Sequence, residues 1–176
     1  MIPSRAFVLV AIGPVLLSFA TLADKSLVWP MIGLDGLIVL VAAFDAFLAR
    51  KRLVHVDRRA PHVMSIGKPN HVELEVRSYA SRKINVEIAE DLFEGASPDG
   101  LPVKATVPAK GRVRVKYRVV PGRRGAYELG DHFVRYHSPL GLWIRQLRIP
   151  KRSFVKVYPD IRSEEHTSEL QSLTNL

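Results

Sequence analysis

The chain has 176 residues, a formal net charge of +9 and no cysteine, which excludes disulfide bonds and metal sites built on thiolates. Its length fits a short membrane segment plus one domain of roughly 100 residues. The basic balance is compatible with nucleic acid, but beside the apolar segments described next it more simply indicates an anionic lipid surface.

Two apolar stretches open the chain, at Ala6–Ala23 and Leu27–Leu48. At a rise of about 1.5 Å per residue, each is long enough as a helix to cross a hydrocarbon core about 30 Å thick. Only three residues separate them, so we expect residues 1–52 to form a tight antiparallel transmembrane hairpin. A cleaved signal peptide is the alternative for the first stretch, and the second apolar run that follows it at once argues against cleavage.

Basic residues predict the orientation of this hairpin. Arg50, Lys51 and Arg52 directly follow the second stretch, whereas the turn between the stretches carries only Lys25 against Asp24. The positive-inside rule then places both termini, and the domain that follows, in the cytoplasm. We therefore expect a multi-pass protein of the plasma membrane.

Asp35 is the acidic residue nearest the middle of the second stretch, where an ionised carboxylate is costly. It is either a proton- or partner-sensing intramembrane site or, as we favour, a protonated or hydrogen-bonded acid at the helix interface. Antiparallel packing places it level with Ser18, a candidate partner. Asp45 lies nearer the cytoplasmic end, where we expect its side chain to reach the interface with water.

From Val54 onward, apolar residues recur with a period of two, which is typical of strands with one buried face. Gly/Pro turn signals separate these runs, so the predicted fold class is membrane-anchored all-β: a transmembrane α-hairpin, then a small antiparallel β-sandwich over residues 53–160. We expect aromatic residues to contribute to its core, namely Tyr117, Phe133, Trp143 and Phe154. The predicted strands are Leu53–Asp57, His62–Ile66, His71–Ser78, 84–89, Val103–Val107, Arg112–Val119, His132–His137, Leu142–Ile149 and Phe154–Tyr158.

Basic side chains occupy one face of the strand Arg112–Val119 and continue into the next turn; they are Arg112, Arg114, Lys116, Arg118, Arg123 and Arg124. An ordinary solvated face is the favoured interpretation, because cross-strand ion pairs with Glu73, Glu75, Glu87 and Glu90 would account for much of it. A lipid or partner surface is the alternative. Nucleic acid is disfavoured because no aromatic residues interleave with these arginines to stack on bases.

Catalytic chemistry has no visible basis in the sequence. The histidines do not gather at zinc-ligand spacing, and His132 and His137, five residues apart in one strand, face opposite sides. Serines show no nucleophile elbow, and Gly122–Gly125 is too short for a phosphate loop. We therefore predict a protein that is not an enzyme, with no catalytic, cofactor-binding or metal-binding residue.

Three segments together resemble the bacterial family called "domain of unknown function 58". They are YRVVPGRRGAYELG at Tyr117–Gly130, SPLGL at Ser138–Leu142 and VYPD at Val157–Asp160. The residues that carry the resemblance are Pro121, Arg123, Arg124, Gly125, Tyr127, Pro139, Gly141, Leu142, Tyr158 and Pro159.

The resemblance implies an inner-membrane protein that leads into a von Willebrand factor A-like domain and works with a MoxR-type AAA+ ATPase. That domain can hold Mg²⁺ or a similar divalent ion at an Asp-x-Ser-x-Ser motif, which is absent from this sequence. No cofactor is therefore expected in this segment. Arg162–Ser172 resembles a translated sequencing adapter, so we predict that residues 161–176 are a non-native or disordered tail.

The function expected from these observations is that of a membrane-anchored scaffold or interaction protein, a fragment ending before the domain it presents. Its expected partners are membrane lipids and a MoxR-type ATPase, without nucleic acid. The alternative is a β-domain that binds anionic lipid or a partner through the arginine-rich strand face. The two differ in what the arginines contact.

Overall fold

The computed structural model describes residues 1–22 and 24–159. Helix α1 spans Arg5–Ala20 and helix α2 spans Val28–Leu48, with a 3-10 turn at Lys25–Leu27 between them. The two helices contact each other as a hairpin. The segment Lys25–Leu48, with a mean hydropathy of 2.1, is long and apolar enough to cross a membrane, whereas α1 is a shorter apolar helix.

The described chain also contains twelve strands, which form three sheets. Their bounds are β1 Ile2–Pro3, β2 Val54–Arg59, β3 Val63–Ser65, β4 Asn70–Ser78, β5 Ile84–Glu90, β6 Ala96–Asp99, β7 Val103–Val107, β8 Arg112–Pro121, β9 Gly125–Leu129, β10 His132–His137, β11 Trp143–Ile149 and β12 Ser153–Tyr158. The sheet orders are β1-β11-β10-β5-β7, β2-β4-β8-β6 and β3-β12-β9. All pairs are antiparallel except β12 with β3, which is parallel.

Each strand predicted from period two is present, and the sequence missed three. Two of them are β1, with two residues, and β9, with five. The third, β6, contains Ser97-Pro98-Asp99, which favours a turn, but it pairs with β8 at the edge of its sheet. Proline is tolerated in an edge strand because its missing N–H costs no ladder bond there.

The core lies between the sheets and is built mainly from valine, isoleucine and leucine. Tyr117 is buried as expected, but the prediction for Phe133 and Phe154 is wrong: they are 45% and 75% exposed. In β10 the inward positions belong to His132, Val134 and Tyr136, so the alternation of side chains directs Phe133 outward. Trp143 contacts the helices instead.

One end of the sandwich, which we call the proximal end, adjoins the end of α2. It consists of residues 49–53, 79–83, 108–111 and 138–142. These segments bind one another: the Tyr79 N–H donates to the Leu53 carbonyl and the Lys110 N–H to the Ala80 carbonyl, each at 2.9 Å. Arg82 Nη2 donates to the Ser138 carbonyl at 2.7 Å. The four segments therefore form one continuous surface.

Candidate functional site at the helix–sandwich junction

Asp45, in the last turn of α2, has no exposed surface. Its Oδ1 accepts a hydrogen bond from the Leu140 N–H at 2.9 Å, and its Oδ2 accepts one from the Leu142 N–H at 3.2 Å. The Ser138 hydroxyl donates to Oδ2 as well. The expectation that Asp45 reaches water is wrong, because the 138–142 loop covers the carboxylate and supplies its donors.

The 138–142 loop is shaped by its own sequence to present these donors. The Gly141 N–H donates to the Ser138 carbonyl at 3.1 Å, which closes a tight turn over Pro139. Gly141 has φ of +81°, a conformation that costs glycine little and other residues more. The SPLGL motif thus forms the binding surface for the Asp45 carboxylate.

Both helices contact the same loop. At the start of α1, the Ser4 N–H donates to the Leu142 carbonyl at 2.9 Å, and the Ser4 hydroxyl donates to the Gly141 carbonyl. Ser4 also caps α1 by accepting a hydrogen bond from the Phe7 N–H. This N-cap therefore joins the first helix to the sandwich.

Trp143 completes the junction. Its indole Nε1–H donates to the Ala42 carbonyl of α2 at 2.9 Å, and its ring stacks on Phe7 of α1 with centroids 5.2 Å apart. In β11, Arg145 Nη1 donates to the Lys51 carbonyl at 2.8 Å. Backbone, side-chain and aromatic contacts thus converge on one place, which we call the junction.

The chemistry of the junction is positional. Asp45 has donors on both oxygens, and no described residue beside it is an activated nucleophile or a second acid. Within the described ranges, no group of three or more His, Cys, Asp or Glu side chains is arranged to hold a metal ion. This geometry binds the sandwich to both helices.

A second polar cluster is buried inside the sandwich, where Arg58, Glu90 and His132 have side chains with no exposed surface. Arg58 Nη1 lies 3.1 Å from Glu90 Oε2, and His132 Nδ1 lies 2.7 Å from Glu90 Oε1. The Tyr117 hydroxyl also donates to Glu90. Arg58 Nη2 donates to the carbonyls of Leu129 and Gly130, which secures the start of β10.

Burial opposes ionisation of Glu90, but the hydrogen bonds from His132 and Tyr117 and the charge of Arg58 outweigh it and lower its pKa. Burial, together with the charge of Glu90, raises the pKa of Tyr117. The expectation that Glu90 pairs with the arginine-rich face is therefore wrong. Glu90 faces inward in β5 and pairs there with Arg58. Removing either Glu90 or Arg58 would leave the other as an unpaired buried charge.

The arginine-rich strand face is matched largely by glutamates of the neighbouring strand β4. Arg114 Nε lies 3.5 Å from both Glu73 and Glu75, and Lys116 lies 3.9 Å from Glu73. The remaining pairs are Arg112 with Glu75 and Arg118 with Asp99. A hydrogen bond from Arg77 is the main cause that lowers the pKa of Glu75; the charges of Arg77, Arg114 and Arg112 also lower it, and burial opposes them. Glu87 lies in the other sheet, opposite Arg135.

Asp35 does not meet the partner proposed for it. The Ser18 hydroxyl donates to the Val15 carbonyl of its own helix at 2.6 Å. Asp35 is half-buried, and no hydrogen bond or ion pair joins it to another residue in the described part of the chain. The two interpretations of Asp35 stay as predictions.

The Pro-Gly-Arg-Arg-Gly-Ala-Tyr segment is a structural turn. The Tyr127 ring stacks on Phe93 with centroids 4.2 Å apart, and a Cβ at Gly125 would lie 3.2 Å from that ring. Arg123 and Arg124 are exposed, and neither side chain forms an ion pair within residues 1–22 and 24–159. In the VYPD motif, the Tyr158 carbonyl accepts a hydrogen bond from the Ile66 N–H at 3.0 Å. Pro159 comes directly after Tyr158. The predicted tail, 161–176, lies outside the described residues.

No family model matches the sequence, and no curated protein gives a significant match. Among solved structures, the chain is similar to WR4, a C. elegans MSP family member (15% identity, TM-score 0.34, 62% of this chain and 100% of that one). It is also similar to native alpha-2-macroglobulin from Escherichia coli (15%, TM-score 0.45, 60% and 16%). The chain is also similar to a FixG-related protein from Vibrio parahaemolyticus (6% identity, TM-score 0.41, 61% of this chain and 98% of that one). These scores are low, so the β-sandwich assignment depends on the strand pairing itself.

Proposed function

We propose that this chain is a membrane-anchored scaffold. Its two N-terminal helices would form a hairpin across the bacterial inner membrane and hold the β-sandwich at the cytoplasmic face. The observation that carries the proposal is the buried Asp45 carboxylate with its three donors in the 138–142 loop. A domain on a loose tether would need no such contact, since burying an ionised group is costly unless its hydrogen bonds are satisfied.

The surface of α2 supports the membrane part of the proposal. Only Ala42 and Asp45 are buried in this helix, whereas Leu37, Val39 and Leu40 are more than half exposed. A helix that is apolar on all sides needs an apolar environment. Lipid would provide one, and Trp29 near the turn would sit at the opposite interface, where aromatic residues are enriched.

The absence of cysteine from the sequence makes the orientation directly testable. Single-cysteine variants Ser26→Cys, in the turn between the helices, and Arg123→Cys, in an exposed turn of the sandwich, report on opposite sides. In intact cells a membrane-impermeant maleimide should label S26C and leave R123C unlabelled until the membrane is opened. Labelling of both variants in intact cells would contradict the hairpin, and the reverse pattern would contradict the orientation.

The client of the scaffold follows from the family resemblance alone. We propose that the complete gene product presents a von Willebrand factor A-like module to a MoxR-type AAA+ ATPase. In genomic DNA, the reading frame beyond residue 161 should encode an Asp-x-Ser-x-Ser motif, and an ATPase encoded beside it should co-purify with the protein from detergent. A gene without that motif, or an ATPase that fails to co-purify, would remove this part of the proposal.

A further inference from the structure

The proximal end of the sandwich carries six exposed cations: Arg50, Lys51, Arg52, Arg82, Lys83 and Lys110. They come from three segments that are distant in sequence, and residues 49–53, 79–83, 108–111 and 138–142 contain no acidic residue. Asp45, which contacts the 138–142 loop, is buried and hydrogen-bonded. This end of the sandwich is therefore purely cationic.

The opposite end differs. Its turns at 91–95, 122–124, 130–131 and 150–152 mix acids with cations, as Asp91, Glu94 and Asp131 lie among basic residues. Asp131 also pairs with Arg148, and Lys151 pairs with Asp57. Net charge alone therefore does not explain the proximal end, because its segments carry cations without any acid, whereas the turns of the opposite end carry both.

We propose that the proximal end is a binding surface for anionic phospholipid headgroups, a proposal that rests on the membrane anchoring proposed above. When α2 crosses a bilayer, the segments around its end lie in the headgroup layer, where cations attract acidic lipids. Tyr79 and Leu140, 62% and 54% exposed at this end, suit the same layer because amphipathic and apolar side chains favour it. A free anion would make no use of these two side chains, and a nucleic acid would stack a base on Tyr79 but leave the apolar Leu140 unused.

Four of these cations are available for binding. The side chains of Lys51, Arg52, Lys83 and Lys110 form no ion pair or hydrogen bond with any residue the structure describes. Arg82 differs, because it also holds the Ser138 carbonyl. A variant that changes the first four to glutamine therefore removes charge without removing a described contact.

The experiment compares lipid selectivity of the full chain in phosphatidylcholine vesicles that contain spin-labelled phosphatidylglycerol or spin-labelled phosphatidylcholine. The wild-type chain should immobilise the anionic lipid about fivefold more, the fold-change that corresponds to one effective surface cation at about 1 kcal/mol. The preference should disappear at 1 M salt, where the screening length falls to about 3 Å. The variant K51Q/R52Q/K83Q/K110Q keeps Arg50 and Arg82, so its preference should fall well below the wild-type value.

The matched control, R114Q/K116Q/R123Q/R124Q, removes the same number of charges from the arginine-rich strand face and from the turn at 122–124. It should keep the wild-type preference for the anionic lipid. Equal loss in both variants would show that net charge acts without position and would overturn the proposal. Equal immobilisation of the two lipids by the wild-type chain would also overturn it while leaving the anchor intact. A chain that fails to enter vesicles would instead overturn the proposed function. Charge-dependent retention of a DNA oligonucleotide by the proximal end in neutral vesicles, without lipid preference, would assign the surface to nucleic acid.

Discussion

Asp45 and Ser138 are 93 positions apart in sequence, yet the serine hydroxyl donates to the aspartate carboxylate with both side chains buried. The same serine oxygen accepts a hydrogen bond from the Trp143 N–H at 2.9 Å. Ser138 thus links the last turn of α2 to the first residue of β11. The two hydrogen bonds of Ser138 therefore connect the apolar helix α2 directly to the β-sandwich.

Replacing Asp45 with asparagine should loosen the junction. The amide retains one acceptor oxygen but loses the charge, and charge-assisted hydrogen bonds contribute about 1.5–3 kcal/mol each. A loss of about 2 kcal/mol corresponds to roughly 30-fold more frequent opening. Hydrogen exchange at the Leu140 and Leu142 amides should accelerate by about that factor. Asp35→Asn is the matched control and should leave both amides unchanged; equal exchange in wild type and D45N would contradict the role of the carboxylate.

Replacing Arg58 with methionine should destabilise the sandwich by about 3–5 kcal/mol, because Glu90 would keep a buried charge without its arginine. Chemical unfolding of the chain in detergent measures this change. Arg114→Met, on the exposed strand face, should cost at most about 1 kcal/mol. The double variant R58M/E90Q should be less destabilised than the two single effects added together, because the two residues interact. Strict additivity would show that they do not.

Stability should fall in acid partly through Glu90. Its pKa is lowered in the folded state, so its contribution is fully present above the unfolded value of about 4.3 and is lost as the pH falls through the folded value. The free energy of unfolding should therefore decrease below about pH 4.3. Glu90→Gln should flatten this decrease without abolishing it, since the pKa values of Asp57 and Asp131 are also lowered. If the free energy of unfolding depends on pH identically in E90Q and the wild-type chain, the prediction is wrong.

Gly125→Ala should destabilise the motif turn by about 1–2 kcal/mol, because the new Cβ would lie 3.2 Å from the Tyr127 ring. Thermal unfolding measures the loss. Tyr127→Ala removes the ring and its stack on Phe93, so adding G125A to Y127A should cost less than G125A alone. If the cost is the same in both backgrounds, the contact with the ring is not its cause.

The sequence by itself determined the local structure. Apolar runs of helical length predicted α1 and α2, and alternation predicted β4, β5 and β8 to within two residues at each end, because the period of side chains is fixed by backbone geometry. The pairing of the arginine-rich face with Glu73 and Glu75 also followed, since side chains on adjacent strands must face each other. Alternation along a strand also predicted that His132 and His137, five residues apart, face opposite sides.

Only the tertiary structure decided which polar residues act together. Asp45 carried no signal of its own, since its donors are the Ser138 hydroxyl and two backbone N–H groups in a loop more than ninety residues later. Glu90 was expected at the surface. Its burial depends on Arg58 and His132, which lie in other strands, and the sequence does not show that they pair with it. The cationic proximal end likewise assembles from three distant segments. Periodicity acts over a few residues, whereas burial and charge pairing depend on contacts that only the folded chain makes.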